Sequence, residues 1–422
     1  MKDMNRIIIV GNGFDLAHDL KTRYEDFINW YWDKWLKLLN NSISQFEEDE
    51  LFKIGAKYNS DCLCNYFYLG CTERNVYKHI EKVRQENGLS YIISPILKRI
   101  SESIETKGWV DIEADYYAML VECKGKKDEL ERLNRDFAVI QALLIEYLTE
   151  IQELKVNEEL VCEEIKNAIL SPVFKRDMAV SSIIEWWGFV EERLKAEDTE
   201  LTKILAPYVD ARYMHIVRED IQDFANKNYE RIIVHGEEPL RWPDYFLVPD
   251  RVMLLNFNYT KTADLYLPKY PRFICNHIHG NLLVPETVIF GYGDESDDEY
   301  KRLQKINDNE YLRHIKTNRY LETPNYRDLL SFIDSAPFQV CIMGHSCGLS
   351  DKTLLNTLFE HKNCVSIKPY YYVNEQGRDN YLDIVQNISR NFTNPQLMRD
   401  RVVNKTYCEE LPQVTRKQKD DE

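Results

Sequence analysis

Asn258 and His279 are the residues whose side chains best suit hydrolytic chemistry, and each follows a short apolar run. A histidine can act as a general base near neutral pH, while an asparagine amide can hold a water molecule or a sugar hydroxyl by hydrogen bonds. A histidine beside a glycine, such as His279 before Gly280, is also often structural. Together with the glycine loop after the first apolar run, the two residues predict a ligand-binding site.

A glycine loop follows the first apolar run, because residues 5–10 (NRIIIV) lead directly into residues 11–13 (GNG). Glycines between a buried strand and a helix let a phosphate approach the backbone N–H groups closely. The loop can equally be a tight turn, since Leu16 replaces the third glycine of the dinucleotide fingerprint. Asp15 can accept a hydrogen bond from a ribose hydroxyl or complement the positive end of a helix.

Residues 344–348 (GHSCG) match the G-x-S-x-G turn that carries the nucleophile of serine hydrolases. That fold requires an acid and then a histidine later in the chain, yet the last histidine, His361, lies only 15 residues beyond Ser346. The same small residues at the start of a helix can instead bind a ribose or a phosphate. Both interpretations remain open on the sequence.

Short apolar runs rich in Ile and Val predict strands that are buried on both faces of a parallel sheet. These runs are residues 5–10, 231–235, 251–257, 272–278, 287–290, 338–343 and 364–373. Between the first run and the others, apolar residues three and four apart, as in Phe137, Ile140 and Leu144, predict helices. We therefore expect an α/β fold with a Rossmann-like parallel sheet and a large helical insertion after its first strand.

The predicted domains follow from this division of the chain. Residues 1–27 and 230–410 form the nucleotide-binding domain, residues 28–229 form the helical insertion domain, and residues 411–422 form a charged tail. The carboxyl ends of parallel strands meet at one edge of a sheet, which is where such proteins bind ligands. The polar residues that follow the predicted strands are therefore expected to form one site.

The composition of the chain indicates which ligands the protein is expected to bind and where in the cell it is expected to be. The 422 residues carry a formal charge of −16, which provides no general attraction for phosphate backbones and makes nucleic acid an unexpected ligand. No apolar run approaches the roughly 20 residues of a membrane helix, so we expect a cytoplasmic protein without membrane contact. The 10 cysteines are scattered, and the group Cys62, Cys64, Cys71 and His79 has weak ligand spacing, so no metal is expected.

The ordered motifs carry a resemblance to a known family. The opening IIIVGNGFDLAHDLKTRYEDF resembles that of the AbiH family of bacterial abortive-infection proteins, and NFNYT, HIHG, FGYGD and GHSCGLSDK resemble its later blocks. These blocks in turn resemble the NAD-binding site of sirtuin-like domains. Two departures are that residues 19–24 (DLKTRY) replace the usual GLPTSY, and that Thr260 stands where sirtuin-like sites carry an acid. The paired CxxC zinc module is also missing, so the resemblance favours hydrolysis of the dinucleotide over deacylation of a protein.

The resemblance implies a sirtuin-like site that hydrolyses NAD to nicotinamide and ADP-ribose, with NAD as the substrate. Asn258 would hold the water and the ribose, and His279 would be the general base. Asp15 and Ser346 would meet ribose hydroxyls. The residues assigned to dinucleotide binding are Gly11, Asn12, Gly13, Phe14, Asp15, Thr22, Tyr24, Asn256, Tyr259, Gly280, Gly344, Ser346 and Asp351.

The resemblance also implies a role in defence against phage. The activity would be released by a phage-derived trigger, and the chain is expected to form a homo-oligomer. Two alternatives stay open on the sequence, namely a non-catalytic protein that senses a nucleotide in the same pocket and, third, a serine esterase that uses Ser346.

Overall fold

The structure is a computed structural model that describes residues 4–58, 60–67, 76–107, 111–171, 173–182, 235, 249–267 and 272–414. Three predictions fall largely on other residues. Most of the predicted strand 231–235, residues 183–229 of the predicted insertion, and the tail beyond residue 414 lie outside the described residues. The nine described cysteines are free thiols, and Cys71 is not among them.

The described part of the chain alternates short strands with helices. The strands are β1 (Asn5–Val10), β2 (Phe46–Glu48), β3 (Phe52–Gly55), β4 (Ser90–Ile93), β5 (Arg251–Asn256), β6 (Phe273–His277), β7 (Phe338–Met343) and β8 (Cys364–Tyr370). The helices are α1 (Asn12–Ala17), α2 (Tyr24–Asn41), α3 (Val76–Asn87), α4 (Pro95–Lys107), α5 (Ile112–Glu122), α6 (Lys127–Lys155), α7 (Glu163–Leu170), α8 (Asp298–Gln304), α9 (Lys316–Arg319), α10 (Asn325–Ser335), α11 (Lys352–Phe359), α12 (Tyr381–Arg390) and α13 (Pro395–Arg401).

Five strands form one parallel sheet in the spatial order β6-β5-β1-β7-β8. This confirms the predicted α/β class and five of the predicted strands. The central strand β1 is buried along its whole length, as expected of a strand flanked on both sides and covered on both faces. Its last residue, Val10, pairs with Asn256 on one side and with Met343 on the other. The carboxyl ends of the three central strands are therefore level.

The order of the strands reverses beside β1. The chain passes from β1 to β5 and β6 on one side of the sheet and then returns to β7 and β8 on the other side. The reversal therefore lies between β1 and β7. In open parallel sheets, the crevice outside the carboxyl ends of the strands at such a reversal is the usual ligand site.

The chain divides into two compact units. The sheet unit comprises Met1–Asp19, Asn157–Ile278 and Pro324–Glu422. The domain boundaries predicted from the sequence were at residues 27 and 230, whereas this unit stops at Asp19 and resumes at Asn157, so it includes α7. Ile165 and Ile169, one helical turn apart on α7, are buried in the same apolar core as the sheet residues Ile8 and Val10.

The second unit comprises Leu20–Val156 and His279–Thr323. For residues 28–229 the sequence predicted only helices, but β2, β3 and β4 form a small antiparallel sheet in this unit, so that part of the prediction is wrong. These strands have three or four residues each, too few for an alternating pattern to be recognised. Phe52 of β3 packs edge-on against Trp32 and Trp35 of α2 with ring centroids 5.2 and 4.8 Å apart.

The predicted strand at residues 287–290 is also wrong. Pro285–Thr287 form a 3-10 turn, and residues 288–290 continue without strand pairing. The run is apolar because it fills the core of the second unit: Phe290 is fully buried and stacks on Phe137, with ring centroids 4.7 Å apart. Burial alone produced the apolar signal here. None of the described helices combines the length and the apolar character that a membrane span requires.

Arg6 anchors α7 beneath the sheet. Its guanidinium is only 1% exposed and donates hydrogen bonds to the Ile169 and Ser171 carbonyls at the end of α7 and to the side chain of Gln339. No carboxylate is hydrogen-bonded to it among the described residues. The partial negative charge of the helix carboxyl terminus therefore stabilises the cation.

We predict that Arg6→Met lowers the free energy of unfolding by about 3 kcal/mol, because it leaves several buried acceptors without a donor. Arg302→Met is the control, since Arg302 forms an exposed ion pair with Glu299 that is expected to contribute less than about 1 kcal/mol. Urea denaturation followed by circular dichroism measures both. Equal losses in the two variants would contradict the role given to Arg6.

Candidate functional site

The loops that follow β1 and β7 touch each other through their backbones. The Gly13 N–H donates to the Gly344 carbonyl at 2.7 Å, and the Gly11 N–H donates to the Met343 carbonyl at 3.2 Å. A Cβ atom at Gly11 would lie 2.5 Å from His345 Cα, and one at Gly13 would lie 2.8 Å from Gly344 Cα. Glycine is therefore required in both loops because their backbones are in contact.

This contact changes the role of the predicted phosphate cradle. The N–H groups of Gly11 and Gly13 are already hydrogen-bonded, and the Phe14 N–H donates to the Gly11 carbonyl at 2.8 Å. These three amides do not point at an open phosphate site in this conformation. The Phe14 side chain lies in the sheet core, fully buried, so it faces no ligand either. Asn12, which begins α1, is exposed.

Asn258 is joined to the glycine loop across 247 positions of the sequence. Its side-chain Nδ2 donates to the Gly11 carbonyl at 3.0 Å, and its backbone N–H donates to Asn256 Oδ1 at 3.0 Å. The residue is 9% exposed, so its amide is held in a mostly dry position at the edge of the sheet. The structure thus brings together Gly11, Asn256 and Asn258, as the sequence predicted; Tyr259, also 9% exposed, follows in the same loop.

The orientation of the Asn256 amide is fixed by two backbone groups. Its Oδ1 accepts from the Asn258 N–H, and its Nδ2 donates to the Thr260 carbonyl at 3.0 Å. The same Nδ2 lies 3.3 Å from His277 Nδ1. Because Nδ2 can only donate, His277 Nδ1 must accept, and the proton of the neutral imidazole is on Nε2.

The proton on His277 Nε2 affects whether this histidine can bind a metal ion. Asp264, Cys275 and His277 have ligand atoms close enough for one ion: His277 Nε2 lies 3.1 Å from Asp264 Oδ2 and 3.6 Å from Cys275 Sγ. A metal ligand must offer a lone pair, and its other ring nitrogen usually donates a hydrogen bond. Here Nε2 carries the proton and donates to Asp264. The trio is therefore a hydrogen-bonded chain, and we propose no metal for it.

Asp15 is the most deeply buried acid at this edge. It is 1% exposed, and its Oδ2 accepts a hydrogen bond from Thr260 Oγ1 at 2.7 Å. Its Oδ1 has no hydrogen-bond partner among the described residues. Burial raises the pKa of the Asp15 carboxyl to about 6, while the neighbouring side chains of Thr260, Thr262 and Asn258 act in the opposite direction.

His345 is a residue of this edge that the sequence analysis missed. Its Nδ1 accepts from the Cys347 N–H at 3.0 Å, so its proton is on Nε2, which lies 3.5 Å from Asp351 Oδ2. Its ring packs on Phe257 with centroids 4.3 Å apart. The signal was its position between Gly344 and Ser346 in the G-x-S-x-G turn, which drew attention to the serine only.

The turn at residues 344–348 does not have the arrangement of a serine hydrolase. Ser346 is exposed, and neither nearby histidine in the described chain is paired with it. His345 is hydrogen-bonded as above, and His361 pairs with Asp334 at 3.3 Å. The positive backbone φ angle falls on Cys347, at 55°, and not on the serine. The esterase hypothesis therefore has no activated nucleophile to support it.

The remaining predicted residues lie in the second unit, and they are Thr22, Tyr24, His279 and Gly280. His279 is 4% exposed, and its Nε2 lies 3.1 Å from the Tyr320 hydroxyl. Gly280 has a φ of 79°, and a Cβ there would lie 2.1 Å from the Thr287 carbonyl oxygen, so this glycine is needed for a tight turn. The Tyr24 ring packs edge-on against Phe290, and Thr22 is buried.

The contact between the two glycine loops can be tested by a pair of substitutions. Gly344 and Gly377 both have positive φ angles, 77° and 73°, but a Cβ at Gly344 would lie 2.1 Å from the Phe14 backbone nitrogen, while at Gly377 it would meet nothing within 4 Å. We expect Gly377→Ala to lower the free energy of unfolding by about 1 kcal/mol through backbone strain alone.

We expect Gly344→Ala to lower the free energy of unfolding by at least about 3 kcal/mol, because the backbones of both loops must also move apart. Chemical denaturation of the two variants measures the difference. Similar losses would show that the loops can separate without penalty.

Comparison with known families adds an independent observation. A family model described as bacteriophage abortive infection AbiH matches residues 7–372. The match begins in β1 and runs beyond β8, so it includes every strand of the parallel sheet. No curated protein and no solved structure matches the chain. Because the family model spans most of the sequence, the chain belongs to the AbiH family of bacteriophage abortive infection proteins.

Proposed function

We propose that this chain is an abortive-infection effector that hydrolyses NAD⁺ to nicotinamide and ADP-ribose at the carboxyl edge of its parallel sheet. The observation that carries the proposal is the coincidence of the strand-order reversal with Asn258 and the glycine loop. Numbered by their order in the chain, the five strands run 3-2-1-4-5, which is the order of Rossmann-like dinucleotide-binding sheets. The proposed site is sirtuin-like in its set of motifs.

The residues proposed for the reaction match the chemical requirements of breaking the bond between nicotinamide and ribose. Cleavage of the N-glycosidic bond to nicotinamide develops positive charge on the ribose, so the site must exclude bulk water, hold one water molecule and favour that charge. Asn258 is nearly buried and has a fixed backbone, which suits it to hold the water or a ribose hydroxyl. The buried acids Asp15 and Asp351 provide negative charge at the same edge.

The contacts to the dinucleotide are proposed with one revision. Because the Gly11, Gly13 and Phe14 amides are hydrogen-bonded within the protein, the glycine loop would contribute its lack of side chains and not these three N–H groups. Asn12, Ser346 and Gly344 stand at the start of the same two loops and remain proposed contacts. The predicted general base His279 belongs to the second unit, and its role is a proposal from the sequence resemblance alone.

The cellular setting is also part of the proposal. A cytoplasmic homo-oligomer that is silent until a phage-derived trigger acts would deplete the NAD of the infected cell. A non-catalytic nucleotide sensor would use the same edge of the sheet and would differ only in releasing no product. The experiment below separates the two.

The purified chain is incubated with NAD⁺, and nicotinamide and ADP-ribose are quantified by chromatography. We expect equimolar products from the wild type and a loss of at least about 100-fold in Asn258→Ala, as for other side chains that stabilise a transition state directly. Asn363→Ala is the matched control, because the Asn363 amide also donates to a backbone carbonyl, that of Ile333, but precedes β8 at the amino end of the sheet.

The same variants are compared in phage-infected cells by measuring NAD, since an effector of this kind can require its trigger. Equal NAD consumption by Asn258→Ala and the wild type in both settings would contradict the proposal. NAD⁺ binding that raises the melting temperature, without product in either setting, would identify a nucleotide sensor.

A further inference from the structure

We infer that Asp15 is the proton acceptor of the site, taking the proton from the water that attacks the ribose. This inference rests on the proposed hydrolysis of NAD⁺ and assigns to the sheet unit the role that the sequence gave to His279.

The two oxygens of Asp15 have different surroundings. Oδ2 accepts from Thr260 Oγ1 at 2.7 Å, and Thr262 Oγ1 in turn donates to Thr260 Oγ1 at 3.3 Å. This directed chain of hydroxyls holds the carboxylate in one orientation. Oδ1 is buried and accepts no hydrogen bond of good geometry among the described residues, although the Thr262 and Asn258 side chains also lie close enough to stabilise the ionised carboxylate. A buried acceptor without a donor is costly, so a donor such as a bound hydroxyl or water is expected there.

The other side chains at the edge cannot take a proton without losing a bond. His345 accepts at Nδ1 and faces Asp351 with Nε2, while His277 accepts at Nδ1 and donates from Nε2 to Asp264. Amide groups such as that of Asn258 are not bases. Among the described titratable groups at this edge, only Asp15 has an acceptor atom without a recorded partner.

The electrostatic surroundings suit a base that works near neutral pH. No cation contributes to the shift of the Asp15 pKa, which burial raises to about 6. Asp177 provides the contrast, since its buried Oδ1 also has no hydrogen-bond partner among the described residues, but two cations lie beside the carboxylate: Lys368 Nζ is 3.1 Å from Oδ2 and Arg176 Nε is 3.9 Å from Oδ1. A carboxylate without a compensating cation holds a proton more readily, which is what a general base requires.

The proposed step balances as NAD⁺ + H₂O → nicotinamide + ADP-ribose + H⁺. The water oxygen forms a bond to the anomeric carbon of the ribose, and the electrons of the broken C–N bond neutralise the pyridinium ring. The water proton passes to Asp15 Oδ1. Sirtuin-like sites carry an acid at the position of Thr260. Here Asp15, which is hydrogen-bonded to Thr260, would provide the carboxylate in place of that acid.

The test is the pH dependence of NAD⁺ hydrolysis in Asp15→Asn, in Thr260→Val and, as a control, in Asp177→Asn. The ionised carboxylate is the active form, so wild-type activity should fall as the pH decreases through about 6. We expect Asp15→Asn to lose at least about 100-fold at pH 7.5. Thr260→Val should shift this fall in activity to higher pH, because it removes the hydroxyl that stabilises the ionised Asp15 carboxylate. Asp177→Asn should have the wild-type rate and the wild-type pH dependence.

Folding of the variants is checked through their stability. Because the pKa of Asp15 is raised on folding, the buried carboxylate destabilises the wild type increasingly as the pH rises from about 4 to 6. Asp15→Asn should lack this decrease and remain folded at neutral pH. A thermal melt at several pH values measures it.

Wild-type turnover and an unchanged acidic limb in Asp15→Asn would overturn the inference while leaving the proposed function intact. In a preparation that does not turn over NAD⁺, affinity for ADP-ribose is measured instead. There we expect Asp15→Asn to bind at least about 10-fold more weakly than the wild type at pH 7.5. Equal affinity would overturn the inference, and an absence of both turnover and binding in the wild type would contradict the proposed function together with it.

Discussion

The level carboxyl ends of the central parallel strands are the constraint on which the site depends. Val10 pairs with both Asn256 and Met343, so the segments that follow β1, β5 and β7 leave the sheet at the same height. Glycines then let two of these loops meet backbone to backbone, and Asn258 from the third loop donates to the Gly11 carbonyl. Strand register and these loop contacts together hold residues almost 250 positions apart in one polar cluster.

The buried cations of the sheet unit and the buried acid at the carboxyl edge of the sheet have different surroundings. Arg6 and Lys368 are buried cations whose partners are fixed, a helix end for the first and Asp177 for the second. At the carboxyl edge, hydroxyl and amide side chains act on Asp15, and within the described part of the chain its Oδ1 has no hydrogen-bond partner. Since buried charges are normally compensated, the uncompensated acid supports our proposal that the site lies at this edge, whereas the compensated cations stabilise the fold.

Much of the sheet could be predicted from the sequence, whereas the details of the site could not. Residues 5–10 and 338–343 are mostly apolar runs that lie in buried strands, as their pattern predicted. Residues 287–290 are also mostly apolar but lack strand pairing, and Phe290 is buried by stacking on Phe137, a difference that depends on tertiary contacts. The short strands β2, β3 and β4 gave no periodic signal. Two details of the site arise where two loops that are distant in the sequence approach each other. These are the hydrogen bonds made by the backbone N–H groups of the glycine loop and the contact of His345 with Gly11.

The most direct test of the account is a crystal structure of the chain with ADP-ribose bound. The account predicts that the ligand lies outside the ends of β1 and β7, with a ribose hydroxyl or its water within about 3.2 Å of the Asn258 side chain. A ligand bound elsewhere on the sheet unit, or one that leaves Asn258 without a contact, would contradict it.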